Sequence, residues 1–289
     1  MNLLVRINLA LALAFTLAAL AVGWACSAML QENAKQETLR EAGLMMDSAL
    51  SMRAYTATEI VPLLNAQMEK TFLPQSVPSY AATQNFLHLR EKHPEYAYKE
   101  ATLNPTNLQD RAMDWESDLI QQFRNDARQA QIVGERDTPT GSSLYLARPI
   151  HAEAKCLVCH SVPAAAPVTL IQRYGSNNGF GWQDHEIIGA QVVSVPLATA
   201  TANARRIFRG VMGSIAAILV ATLMIVNVVL YFLVVRPVRR MAAVADEVSL
   251  GDMSAGEFPA GGGTELTDLG RAFNRMRTSL AKALKMLEG

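Results

Sequence analysis

Two long apolar segments dominate the pattern of hydrophobic and polar positions along the chain. Residues 7–30 and 211–235 carry no charged side chain, and three arginines lie close to each side of the second segment. Each segment exceeds the roughly 20 residues that a helix needs to cross a bilayer. The pattern predicts two membrane spans, at 7–30 and 211–235, with a short terminal segment at 1–6 and a domain at 31–206 between the spans.

A cleaved signal peptide is the alternative for the first segment, because Arg6 precedes the apolar stretch. The apolar core of a signal peptide is typically about 7 to 15 residues long. Since residues 7–30 exceed that length, we expect an uncleaved span.

The domain at 31–206 mixes helical and strand patterns. Apolar residues recur every three or four positions over 31–67, 82–92 and 114–130, which predicts helices. Strand patterns cover 96–100, 143–148 and 187–197, and residues 101–107 are typical of a loop. Short strands with flanking helices predict a small α+β sensor domain.

Two further helices are predicted after the second span. Pro237 suits the first turn of a helix, and Gly251 ends that helix. A glycine-rich connector, Gly256 to Gly263, leads to a second helix whose apolar residues again recur every three or four positions. Such seams pack helices into parallel bundles.

This arrangement at 236–289 resembles a HAMP domain. The residues that carry the resemblance are Pro237, Glu265, Leu269, Ala272, Phe273, Asn274 and Met276. The resemblance implies a homodimeric four-helix bundle that relays motion from an extracytoplasmic sensor. An ordinary helical hairpin beside the membrane is the alternative.

Composition and charge narrow the functional classes. Half of the 289 residues are hydrophobic and the formal net charge is zero, which argues against a nucleic-acid-binding surface. The chain has no Ser/His/Asp grouping at meaningful spacing, no glycine-rich phosphate loop and no paired carboxylates in an apolar setting. We therefore expect a protein that is not an enzyme.

Two of the three cysteines belong to a Cys-x-x-Cys-His motif formed by Cys156, Cys159 and His160. At this spacing two thiols bond to the vinyl groups of one haem, and the histidine ligates the iron. The motif predicts one covalently attached haem c.

Other interpretations of a Cys-x-x-Cys pair are a redox dithiol, a structural disulfide and half of a zinc site. Zinc needs two more ligands, and the remaining cysteine, Cys26, lies far away in the first apolar segment. A thioredoxin-type dithiol lies where a strand enters a helix of a βαβ unit, whereas Pro149 and His151 shortly precede this motif. Haem attachment is the preferred hypothesis, with a haem-free dithiol or disulfide left open.

Several separated segments resemble the haem c domain of the Tll0287-like (DUF3365) family over roughly residues 35–200. They are Tyr98–Asn107, Ala147–Ile150, Cys156–His160, Tyr174–Ser176, Gly179–Trp182 and Gly189–Pro196. The resemblance implies a PAS-like fold that carries one covalent haem and is often fused to HAMP and signalling modules.

The second axial ligand departs from the family pattern. Soluble relatives can use a cysteine as this ligand, but this chain has none between Cys26 and Cys156. A weakly held sixth position favours sensing of a diatomic gas, and a firm ligand favours redox sensing. The candidate ligands are His151, Met52 and Met46, followed by Met45, His88, His93 and His185.

These features predict a receptor subunit of the bacterial inner membrane. Haem c is attached outside the cytoplasm, so we expect residues 31–206 in the periplasm and both ends of the chain in the cytoplasm. Because no kinase, cyclase or methyl-accepting segment follows the second HAMP-like helix, we expect the signal to pass to a separate cytoplasmic protein. The alternative is that the chain is a shortened version of a longer receptor. The alternatives are a membrane-anchored cytochrome that carries electrons and a haem-free receptor for a small organic ligand.

Overall fold

The computed structural model describes residues 3–139, 141–252, 256–258 and 265–287. The chain forms two compact units, one of residues 25–208 and one of residues 1–24 together with 209–289.

The unit of residues 25–208 is built on a four-stranded antiparallel sheet of order β1-β4-β3-β2. The strands are β1 (Ala97–Thr102), β2 (Ile132–Thr138), β3 (Gly141–His151) and β4 (Ile187–Pro196). The expected α+β class is therefore confirmed. The central strand β4 is buried along almost its whole length, because helices cover both faces of the sheet.

One long helix, α1 (Leu3–Tyr55), enters this unit and continues through a π-helical turn, Thr56–Ile60, into α2 (Val61–Met68). The other helices are α3 (Pro78–Lys92), α4 (Asp114–Asn125), α5 (Ala154–His160) and α6 (Val168–Tyr174), with 3-10 turns at Pro74–Ser76 and Leu108–Asp110. The helix predicted over 31–67 is thus present, with a π-helical turn just before Pro62.

Two hydrophobic cores lie on opposite faces of the sheet. On one face Val193 and Val195 of β4 pack with Met46 of α1 and Phe86 of α3. On the other face, Ala190 and Val192 belong to a second cluster with Leu119, Ile120 and Phe123 of α4. Since neighbouring strand residues point to opposite faces, β4 has to be apolar at nearly every position.

Three expectations for this unit were wrong in detail. Strand β2 was not predicted, because its sequence is polar and only every second residue is turned inward. The helix predicted over 114–130 ends at Asn125, and β1 extends to Thr102, into the predicted loop. Strand pairing decides two of these conformations: β2 pairs with its hairpin neighbour β3, and β1 pairs with the distant β4.

Polar contacts fasten α1 to the sheet. The best shielded is the ion pair between Arg53 of α1 and Glu100 of β1. Tyr98 donates a hydrogen bond of 2.7 Å to the same carboxylate, and Gln191 donates one of 3.3 Å to the Tyr98 hydroxyl. Further contacts from α1 are Lys35–Glu135, Glu41–Tyr96 and Asp47–Arg148.

The second unit contains the apolar parts of two helices. Segments Leu4–Met68 and Leu197–Ser249 are long and apolar enough to cross a membrane, and their most apolar windows are not buried within the protein. The second segment comprises α7 (Leu197–Leu230), a π-helical turn Tyr231–Val235 and α8 (Arg236–Ser249). The two predicted spans are present as candidate membrane helices.

Asn8 of α1 and Asn227 of α7 exchange two side-chain hydrogen bonds of 2.8 Å. A Cβ atom on Gly23 would lie 3.4 Å from Cε of Met212. The two contacts are 15 residues apart on both helices, from 8 to 23 and from 212 to 227. The helices are therefore antiparallel. Because an amide left unpaired in hydrocarbon is costly, the Asn8–Asn227 hydrogen bonds favour this register.

Helix α9 (Glu265–Leu287) follows α8, as predicted. Most of the predicted connector Gly256–Gly263 lies outside the described residues. Within its described part, Phe258 is buried against Phe273, and its backbone exchanges hydrogen bonds of 3.0 and 3.1 Å with the Asn274 side chain.

Arg53→Met is expected to destabilise the protein by about 3 to 5 kcal/mol, because it leaves the Glu100 carboxylate buried without its charge partner. The side chains of Arg53 and Glu100 are only 27% and 6% exposed. The matched control is Arg40→Met, which removes an exposed α1 pair with Glu37, at 72% and 64% exposure. That change should cost less than about 1 kcal/mol. Denaturant unfolding of the detergent-solubilised chain measures both, and equal losses would contradict the assignment.

Candidate functional site

The Cys-x-x-Cys-His motif lies on α5, directly after the last strand residues of β3. The pairing of β3 with β4 becomes irregular between Ile150 and His151. The chain is then held by two backbone hydrogen bonds: Ala152 N–H donates to Glu186 at 2.8 Å, and His185 N–H donates to Ala152 at 2.9 Å. The start of α5 is therefore fixed against the segment that enters β4.

The two thiols lie on one face of α5. Cys156 and Cys159 are three residues apart, which places their side chains one above the other on a helix. Both are half-buried free thiols. Cys159 packs against a small apolar cluster of Phe72, Ala166 and Leu170, so one thiol has an apolar wall beside it.

The imidazole of His160 is fixed by a hydrogen bond and by ring stacking. Its Nδ1 lies 2.7 Å from the carbonyl oxygen of Gly179, and Thr106 Oγ1 is 3.5 Å from the same nitrogen. The ring stacks on Trp182 with centroids 3.9 Å apart and planes 12° from parallel. Because a carbonyl only accepts, Nδ1 carries the proton, and the Nε2 lone pair is directed away from this contact.

Burial affects the ionisation of both His160 and Cys159. Burial lowers the pKa of His160, and the Gly179 hydrogen bond opposes this only in part, so the imidazole is neutral at neutral pH. Neutral imidazole is the form that binds metal. Burial and the neighbouring Cys156 raise the pKa of Cys159.

The Gly179 carbonyl is held in place by a loop on the other side of the site. Asn104 Oδ1 accepts a hydrogen bond of 3.1 Å from Gly179 N–H, and Asn104 Nδ2 donates one of 3.3 Å to the Phe180 carbonyl. Gly179 has a φ of +80°, and a Cβ there would lie 2.0 Å from Thr106 Oγ1. Only glycine fits this position without displacing Thr106.

The structure places the predicted site residues in two groups. Cys156, Cys159 and His160 share α5. Of the second-ligand candidates, His151 is exposed at the end of β3, Met46 is fully buried in the first core, and Met52 packs against that core. The other candidates are elsewhere: Met45 lies beside the first core, and His88, His93 and His185 are exposed next to Glu91, Glu95 and Asp184. The second axial ligand stays a prediction.

The residues that orient His160 were not predicted as site residues. Asn104, Thr106, Gly179 and Trp182 lie in loops far from the motif in sequence. The signals available were their places in the segments Tyr98–Asn107 and Gly179–Trp182, which carry the family resemblance. Neither signal indicates a contact with His160.

Comparison with known proteins agrees with this architecture. A family model described as Tll0287-like matches residues 31–196, which is more than half of the chain. The chain belongs to the Tll0287-like family. A HAMP domain model matches residues 229–282, so the Tll0287-like domain is followed by HAMP, and both predicted resemblances are confirmed.

A solved structure described as the cyanobacterial heme-protein Tll0287 is similar to this Tll0287-like chain. The sequence identity is 15%, the TM-score is 0.44, and the match covers 55% of this chain and 95% of that one. No curated protein matches the chain. The domain architecture is that of a membrane sensor or signalling protein.

Gly179→Ala should disturb the site more than a matched change two residues away. The new Cβ meets Thr106, an overpacking that costs about 1 to 3 kcal/mol beyond the backbone strain. Gly181→Ala is the control, because Gly181 has a φ of +85° and no atom within 4 Å of the added Cβ. Thermal unfolding compares the two, and equal melting temperatures would contradict the close packing at Gly179.

Proposed function

We propose that this protein is a membrane-bound receptor subunit that detects redox state or a diatomic gas through a covalently attached haem c and relays the change through HAMP. The observation that carries the proposal is the hydrogen bond from His160 Nδ1 to Gly179, which leaves Nε2 for iron. The two thiols of Cys156 and Cys159 on one face of the same helix complete the attachment site.

The residues present fit a c-type haem. Cys156 and Cys159 would hold its vinyl groups, and His160 would be an axial ligand. When bound, the haem supplies an iron that changes oxidation state or takes a diatomic ligand. The protein's part is to keep His160 neutral and oriented, and to place the apolar cluster at Cys159 against the site.

The proposed location is the bacterial inner membrane, with the haem domain in the periplasm and HAMP in the cytoplasm. Attachment of haem c outside the cytoplasm supports this orientation. The antiparallel pairing through Asn8 and Asn227 supports one part of this topology, because it puts the start of α1 and the end of α7 on the same side of the bilayer.

Homodimerisation is supported by an apolar seam on α9. Leu269, Met276 and Leu280 are 48%, 55% and 46% exposed and recur at helical-bundle spacing. Within one protomer these side chains are left in water, and a second copy of α9 would cover them. We propose that this bundle passes the signal to a separate cytoplasmic signalling protein.

Haem attachment is tested with protein produced alongside a cytochrome c maturation system. Wild-type protein should carry one haem on the peptide containing Cys156 and Cys159, measured by peptide mass and a pyridine haemochrome spectrum. Changing both thiols to alanine should abolish the covalent haem. Cys26→Ala is the matched control and should retain it. Colourless wild-type protein would favour the haem-free receptor instead.

Relay is tested by placing one cysteine on the α9 seam, Met276→Cys, in a Cys26→Ala background. Cross-linking between protomers with a bis-maleimide is then compared for reduced and oxidised haem, and with and without carbon monoxide or nitric oxide. We expect the extent of cross-linking to differ between these states, because a coupling of about 1 to 3 kcal/mol shifts the populations of two helix arrangements.

Two controls belong to the relay experiment. Arg275→Cys lies next to the seam and should cross-link slowly in every state. Protein without haem, from the double thiol variant, should not respond. A haem-loaded protein whose Met276→Cys cross-linking is the same in all states would be an electron carrier, and the relay proposal would be wrong.

A further inference from the structure

We propose that Asn104 is a positioning residue for the axial histidine and sets the electronic character of the His160–iron bond through the Gly179 carbonyl. The inference rests on the proposed function, because it concerns the haem-loaded site. It concerns a side chain that neither binds haem nor contacts His160.

The Asn104 side chain is hydrogen-bonded to the backbone at Gly179 and Phe180. The Asn104 side chain makes two hydrogen bonds to one turn of backbone: it accepts from Gly179 N–H at 3.1 Å and donates to the Phe180 carbonyl at 3.3 Å. These two bonds hold the peptide groups on either side of the 179–180 peptide and so limit how far that peptide can move. That peptide contains the Gly179 carbonyl.

The Gly179 carbonyl is in turn connected to His160. The same carbonyl accepts the 2.7 Å hydrogen bond from Nδ1. Its backbone is in the left-handed region, with a φ of +80°. A glycine in this region has many accessible conformations, so its own chain does little to hold the carbonyl in one direction. The Asn104 amide supplies the missing restraint.

The hydrogen bond from His160 to Gly179 affects how strongly His160 would donate to the haem iron. A ligating histidine whose other nitrogen donates to a carbonyl is a more basic ligand and keeps one ring orientation. A more basic ligand stabilises ferric relative to ferrous iron. Loss of the Asn104 amide should therefore weaken the Gly179 contact and raise the midpoint potential of the haem.

Other contacts explain why this effect is separable from folding. Trp182 N–H donates to the His160 carbonyl at 3.2 Å, and Gly181 N–H donates to the Ser161 carbonyl at 2.8 Å. These backbone bonds hold the 179–182 loop against α5 without Asn104. Asn104 is itself exposed, so its replacement leaves no buried cavity.

The test compares Asn104→Ala with Asn107→Ala in haem-loaded full-length protein. Asn107 lies in the same loop, but its side chain accepts a hydrogen bond of 3.2 Å from Gln109 N–H and only caps the local 3-10 turn. The readouts are the midpoint potential and the ferric electron paramagnetic resonance spectrum. We expect Asn104→Ala to raise the potential and shift the spectrum, and Asn107→Ala to match wild type.

The inference is overturned if Asn104→Ala keeps the wild-type potential and spectrum, or if Asn107→Ala shifts them equally. Should Asn104→Ala not accumulate with haem, Asn104→Asp decides. It keeps an acceptor for Gly179 N–H but puts a carboxylate oxygen in place of the donor to the Phe180 carbonyl. Its ferric spectrum should therefore shift, and a wild-type spectrum would reject the proposal. Wild-type protein without haem would instead reject the proposed function, so the two failures are distinct.

Discussion

The hydrogen bond between His160 Nδ1 and the Gly179 carbonyl is the contact on which the account of this site depends. A histidine placed after two cysteines is only a sequence pattern until its ring is oriented. The carbonyl settles which nitrogen carries the proton, and burial keeps the ring neutral. Gly179 can accept this bond at close range because it has no side chain to meet Thr106. The site is thus a property of three segments: α5, the 103–107 loop and the 175–182 loop.

The chain connects this site to the membrane by two continuous routes. One is α1, which is fastened to the sheet through the shielded Arg53–Glu100 pair. Arg53 lies close enough to Cys156 for that thiol to contribute, after burial and Glu100, to the pKa of its guanidinium. The other route is β4, the central strand, which runs directly into α7.

The sequence predicted the elements whose signals are local. The apolar segments, Pro237 and the seam of α9 need only helical periodicity, and the Cys156–His160 motif needs only spacing. Strand β2 was missed because its inward-facing positions alternate with exposed polar ones. Its pairing with β3 is not visible in its own sequence. The same holds for Asn104 and Gly179, which lie 75 residues apart and are joined only by the fold. Met46 was a candidate ligand from its type and spacing, and the fold places it in the first core.

The most direct test of the account is ligation of haem iron by His160. His160→Gly protein, produced with its haem attached at both thiols, removes the imidazole and leaves a space of its size. The account predicts an altered ferric spectrum that returns towards wild type when free imidazole is added. A His160→Gly spectrum identical to wild type, with no response to imidazole, would show that another residue holds this face of the iron and would contradict the central claim.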